Sequence, residues 1–102
     1  MKTIVNLTPH VVRLNSGVGI PPSGTVARVT ASYSDFDADG VAVVTFGQVT
    51  GLPEPAEGTL YVASALVAQA AKRLDVVSPA TGHPGCVRKD GQVISVPGFV
   101  RA

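Results

Sequence analysis

The sequence predicts an α+β fold: a small, mainly antiparallel sheet or partial barrel with one helix packed on it. Three observations carry that expectation. Short runs of β-branched residues alternate with turn chemistry along the whole chain, which has 11 Gly and 8 Pro in 102 residues. Only one segment, "SALVAQAAKR" from Ser64, combines a capping residue with high helix propensity and apolar positions at helical spacing. The hydrophobic fraction of 45% suffices for one modest core and argues against disorder. No internal repeat divides the chain, so a single domain over residues 1–102 is expected.

The elements follow in order. "TIVNL" has the β-branched content of a strand, and "HVVRL" resumes it after the Thr8-Pro9 break. "NSGVGIPPSG" is turn chemistry that cannot propagate a ladder. "TVARVTASY" alternates as a strand, "SDFDADG" is a loop, and "VAVVTFGQV" is apolar enough for a strand buried on both faces. "TGLPEPAEG" is a stiff connection, because Pro53 and Pro55 lack a backbone donor. "TLYVAS" then leads into the helix, with Ser64 as N-cap, Leu66, Val67, Ala70 and Leu74 on its apolar side, and Lys72 and Arg73 where the dipole favours cations. "DVVSP" is extended, "ATGHPG" breaks it, and "CVRKDGQVISV" reads as a hairpin turning at Lys89-Asp90-Gly91.

Composition removes several function classes. A net charge of +1, with Lys and Arg spread along the chain, gives no electrostatic footprint for nucleic acid. Cys86 is the only cysteine, which excludes an intrachain disulfide and a cysteine zinc site and suits a reducing compartment. No apolar run is long enough to span a bilayer, and none near Lys2 resembles a signal peptide, so a soluble, cytoplasmic protein is expected. Charged residues make up only 15%, so part of the apolar surface is expected under a second subunit or a ligand, and a homo-oligomer is expected.

The candidate chemistry is sparse. Asp35, Asp37, Asp39 and Gly40 match the first half of a calcium loop, but Phe46 stands where the bidentate Glu belongs, and an acidic hairpin turn accounts for the same letters. Neither His10 nor His83 has the spaced partners of a metal site; no metal and no cofactor are expected. A nucleophilic pair between Cys86 and a histidine competes poorly with a small buried thiol.

The strongest cluster begins at "NLTPH". Asn6, Thr8 and His10 alternate and share a face of a strand, which Pro9 bends or confines to an edge. They either satisfy backbone groups at that bend or line a site. Ser23 and Arg28 follow a tight turn, Ser64 opens the helix, and Arg73, Asp75 and Ser78 follow it. Arg28, a cation in an apolar strand, needs Asp75 or a ligand phosphate as partner.

"NLTPH", "PPSGTVARV", "GLPEPAEGTLYVASALVAQA" and "RLDVVSP" together resemble a family of small proteins encoded by phages and bacterial genomes. The resemblance covers nearly the whole chain, departs chiefly at "SDFDADG", and brings no settled activity. A phage origin implies an analogy of size and context with compact phage proteins that sequester nucleotide-derived immune signals. The leading expectation is therefore a non-enzymatic protein that binds a small polar, nucleotide-derived ligand through Asn6, Thr8, His10, Ser23, Arg28, Ser64, Arg73, Asp75 and Ser78. A small phage structural or interaction protein is the second class, and a His10-dependent hydrolase or transferase the third.

Overall fold

The computed structural model describes residues 2–102. Its elements are β1 (Thr3–Asn6), β2 (Val12–Arg13), β3 (Gly19–Ile20), β4 (Arg28–Tyr33), β5 (Val44–Thr50), β6 (Thr59–Val62), α1 (Ala65–Ala71), β7 (Val76–Pro79), β8 (Val87–Lys89), β9 (Gln92–Ser95) and β10 (Phe99–Arg101). The fold is mainly β, which corrects the α+β expectation: strands hold 41% of the chain and the helix 7%. The helix is two turns long because Lys72 takes a left-handed conformation (φ 53°) and its N–H returns to the Ala68 carbonyl, closing the last turn. Lys72 and Arg73 therefore lie beyond the helix, and Leu66 and Leu74 are exposed while Val67 and Ala68 are buried. The described residues form several small sheets and no closed barrel.

The central sheet has the order β1-β6-β7-β10 and is mixed. β1 and β6 are parallel, as are β6 and β7, and only β10 is antiparallel to its neighbour. The two parallel β6/β7 strands need a crossover, and α1 supplies it. β6 alternates with period two: Tyr61 and Ala63 join Leu7, Ala27, Val67, Ala68 and Val76 on one face, whereas Val62 joins Val12, Val77 and Val96 on the other. Burial of both faces explains why "TLYVAS" and "DVVSP" are nearly continuous apolar runs.

The remaining pairs are two-stranded antiparallel ribbons: β2–β3, β4–β5 and β8–β9. The β8–β9 ribbon turns at Asp90 (φ 53°) and Gly91 (φ 79°), two left-handed residues that suit a two-residue hairpin. Asn15 pins this ribbon to the body by donating from Nδ2 to the Gly85 carbonyl (2.9 Å) and accepting from the Ser95 hydroxyl. Backbone bonds Asn15 N to Val96 O (2.8 Å) and Val96 N to Arg13 O (2.9 Å) complete the seam.

β5 contradicts its sequence reading most clearly. Instead of being buried on both faces it is exposed along nearly its whole length. It pairs only with β4, and from Thr30 to Gln48 every residue except Ala42 is exposed. In the acidic loop at its tip, the Asp37 carboxylate accepts from Asp39 N (2.9 Å) and Val41 N (3.0 Å), so it serves the turn. No group of three or more metal-ligating side chains converges among the described residues, and no helix there is long and apolar enough to cross a membrane.

Candidate functional site

Asn6 ends β1 at 1% exposure, and its carboxamide is fully used. Nδ2 donates to the carbonyls of His10 (2.8 Å) and Ile20 (2.9 Å). Oδ1 accepts from the Thr8 N–H (3.0 Å) and the Thr8 hydroxyl (2.7 Å). Pro9 brings no donor, so this single side chain supplies the hydrogen bonds that the bend takes away from the ladder. Ser23 is drawn into the same network by its backbone, whose N–H donates to the Asn6 carbonyl (2.9 Å), while its hydroxyl closes a local turn with Thr25. Asn6 and Ser23 thus build the bend.

What the bend builds is a groove. β1, β6 and β7 run parallel, so their carboxyl ends lie at the same edge of the sheet. Each continues into a polar residue there: Thr8 and His10 after β1, Ser64 after β6, and Ser78 and Thr81 at the end of β7. The crevice outside the carboxyl ends of parallel strands is the customary ligand position in open sheets of this kind. Two cavities occupy it, of about 270 and 460 Å³, and they share Thr8 and Ser64 as a common wall. The smaller also holds Arg28 beside Val26, Ala27 and Leu66. The larger holds His10, Arg13, Ser78 and Thr81, with Val93, Ile94 and Val96 as an apolar flank contributed by the pinned β8–β9 side.

Two features give this groove chemical character. Ser78, with Asn6 one of the two polar residues buried among the described residues, is only 4% exposed and lines the larger cavity. In addition, no Asp or Glu lines either cavity. The guanidinium groups of Arg13 and Arg28 have neither an ion pair nor a hydrogen bond among the described residues. Two free cations and a neighbouring imidazole favour an anion.

The other sequence-designated residues lie elsewhere. Arg73 forks onto Asp75, with Nε to Oδ1 at 2.9 Å and Nη2 to Oδ2 at 2.6 Å. It also donates to the Pro53 carbonyl (3.0 Å) and lies 5.9 Å from the centre of the Tyr61 ring. Asp75 therefore pairs with Arg73 and leaves Arg28 to the groove. Ser64 does cap α1, accepting from Val67 N (3.3 Å), but a seven-residue helix has too small a dipole to act as an anion site. Cys86 is half-buried against the Val12–Val62–Val77–Val96 cluster, and His83 accepts from Gly85 N (2.9 Å) within its own loop. Arg13 and Thr81 were not legible in the sequence as site residues; the cation in the apolar "VVRL" is the one signal that pointed to Arg13.

The Arg73–Asp75 pair has a pH signature. The Arg73 hydrogen bonds hold the Asp75 carboxyl below its ordinary range, with the nearby guanidinium charge adding to the effect. A depressed carboxyl stabilises the fold above its unfolded pKa, and that contribution is lost as pH falls through the folded value. Asp75→Asn should lower stability at neutral pH by about 1 kcal/mol, the scale for a bidentate pair whose side chains are 25% and 22% exposed. Melting curves of the two proteins should converge as the pH falls below about 4, where the wild-type carboxyl is protonated in the unfolded chain. A constant gap across that range would remove the pairing from the stability of the fold.

Compared with protein-family models, curated proteins and solved structures, the chain matches none.

Proposed function

We propose that this protein binds a small anionic ligand with an apolar or aromatic part, most consistently a nucleotide derivative, and sequesters it without converting it. The observation that carries the reading is the groove itself: the carboxyl ends of three parallel strands converge on a cavity of about 460 Å³ that Ser78 helps to line and that has no carboxylate in its wall. That volume is within the range of small-molecule sites. Arg13 and Arg28, one in each cavity, are placed for phosphate oxygens, the Val93–Ile94–Val96 flank for a ring, and Thr8, His10, Ser78 and Thr81 for sugar or base edges. Relative to the sequence reading, Arg13 replaces Arg73 as the second cation, and Asn6 supports the site from behind.

Thermal-shift and calorimetric screening of linear and cyclic nucleotides tests this. A binding nucleotide should raise the melting temperature of the wild type. Arg13→Ala and Arg28→Ala should each weaken binding about ten- to a hundredfold, because a charge-assisted hydrogen bond contributes about 1.5–3 kcal/mol. His10→Ala should cost less. None of the three side chains has a hydrogen-bond or ion-pair partner among the described residues, so these variants should melt like the wild type. If no nucleotide shifts the melting temperature, and native mass spectrometry of protein from its host finds no retained ligand, the reading fails. The alternative then standing is a structural component in which Asn6 and Thr8 only fix the bend, which their mutual hydrogen bonds favour.

A further inference from the structure

Beyond its root, the β4–β5 ribbon has no cover among the described residues. Val29 and Val49 at its root pack on the core, and beyond them both faces meet solvent. Tyr33 is 72% exposed, Phe36 76% and Val43 66%, with Val44 and Phe46 also exposed. Three of the five aromatic side chains of the protein therefore sit on a two-stranded ribbon in water. Isolated ribbons of this size are marginal unless a third strand or another layer supports them.

The register gives the ribbon its direction. Val29 faces Val49, but Ala31 faces Phe46, so β5 carries one residue more than β4 between the two pairs. Such a bulge bends the strand. Gly47 lies in it, where a Cβ would run into the Thr30 hydroxyl. Past the bulge, Ala31, Tyr33, Val44 and Phe46 share one face, since their cross-strand pairs are two residues apart. The result is an apolar arm set away from the core.

Two further quantities say what covers it. A compact monomer of 10.4 kDa exposes about 5,400 Å², whereas this chain exposes 6865 Å². Its radius of gyration of 15.3 Å likewise exceeds the roughly 13 Å of a compact chain of this length. The excess of about 1,500 Å² per chain is nearly twice the roughly 800 Å² that each partner gives to a standard protein–protein interface. Charge is segregated in the same way. No Lys or Arg occurs between Arg28 and Lys72, and the arm tip carries Asp35, Asp37 and Asp39. The rest of the chain holds all eight basic residues against four acidic ones, a net of +4.

We infer that the β4–β5 arm is an exchange element that seats on the body of a second copy of this chain, giving a two-fold dimer in which each apolar arm and its acidic tip lie on the partner's basic body. Each copy is donor and acceptor, so the assembly closes and leaves neither arm in water. This does not rest on ligand binding.

Sedimentation equilibrium and light scattering at low and high salt test it. Wild type should run at about twice 10.4 kDa and dissociate more readily in high salt, where the tip–body attraction is screened. Tyr33→Ser/Phe36→Ser/Phe46→Ser should run as a folded monomer, with far-UV circular dichroism unchanged. Asp35→Lys/Asp39→Lys, which spares the turn-forming Asp37, should weaken the dimer at least tenfold in low salt and reverse its salt dependence. Zero-length carbodiimide cross-linking of a mixed light and heavy-isotope sample should join Asp35 or Asp39 to a lysine across copies; this readout holds even if the triple variant misfolds. A wild type that stays monomeric overturns the inference, whether or not its arm then binds vesicles or another protein. So does a dimer indifferent to both sets of substitutions.

Discussion

Asn6→Ala should lower the melting temperature by about 12–24 °C. The substitution removes a side chain that is 1% exposed and leaves the Thr8 N–H and the Ile20 carbonyl without this partner, while the His10 carbonyl keeps only the Thr8 hydroxyl (3.1 Å). Each of these two part-buried groups left unsatisfied costs about 1–3 kcal/mol, so the total is about 3 kcal/mol, and 1 kcal/mol moves the melting point of a domain this size by about 4–8 °C. Asn6→Asp should be nearly as damaging at neutral pH, although it changes one atom. The second carboxylate oxygen would face two carbonyl oxygens, and only protonation restores one donor. Its destabilisation should therefore ease as pH falls, opposite in sense to the Asp75 effect. Variants that melt within a few degrees of wild type would show that the bend holds without the carboxamide.

Gly51→Ala should cost about 2–4 kcal/mol. Gly51 adopts φ +78°, and a Cβ there would lie 2.5 Å from the Val26 carbonyl oxygen and 3.3 Å from the Ala27 Cα. Both obstacles are backbone, so no rotamer change relieves them. Ala27 is a core residue at 5% exposure, and pushing on it moves the root of the arm away from Leu7 and Val67. Gly40 is the matched control: it has the same φ of +78°, with nothing within 4 Å of the added atom. Gly40→Ala should show the backbone strain alone, about 1 kcal/mol. Equal unfolding free energies for the two variants would mean that the contact at Gly51 is not a constraint.

Sequence and structure agree where the signal is local. The Ser64 cap, the β6–α1–β7 passage and the Asp90-Gly91 turn are each specified within about twenty residues, and they stand where the residues place them. They part where the outcome depends on what lies across from a segment. "VAVVTFGQV" is apolar enough for a buried strand, but composition does not say whether anything covers it, and among the described residues only Val49 at its root meets the core. "GFVRA" is too short to announce β10, which exists because β7 offers it an edge. Asp75 could have answered Arg28, but Arg73 lies two residues away and has far less chain entropy to overcome. The site divides the same way: Thr8, His10, Ser64 and Ser78 come together because parallel strands end at one edge, which no periodicity encodes, and Arg13 enters only through the β2–β9 seam.

The parallel pairing of β1 with β6 also governs the order in which the molecule can be built. Thr3 must meet Thr59, and everything between them, arm included, is a loop that closes in that step. By contrast β6, α1 and β7 are neighbours in the chain and form a unit without any closure of that size. During synthesis the first half of the polypeptide therefore leaves the ribosome with Leu7 and Ala27 exposed, waiting for partners that are translated later. The rate-setting event is the return of the amino-terminal strand to a nucleus made by the second half, the slow, non-local class of step. Shortening the arm would hardly speed it, since halving a loop relieves only about 0.6 kcal/mol of closure entropy. The arm is free to vary in length without changing how the core is reached.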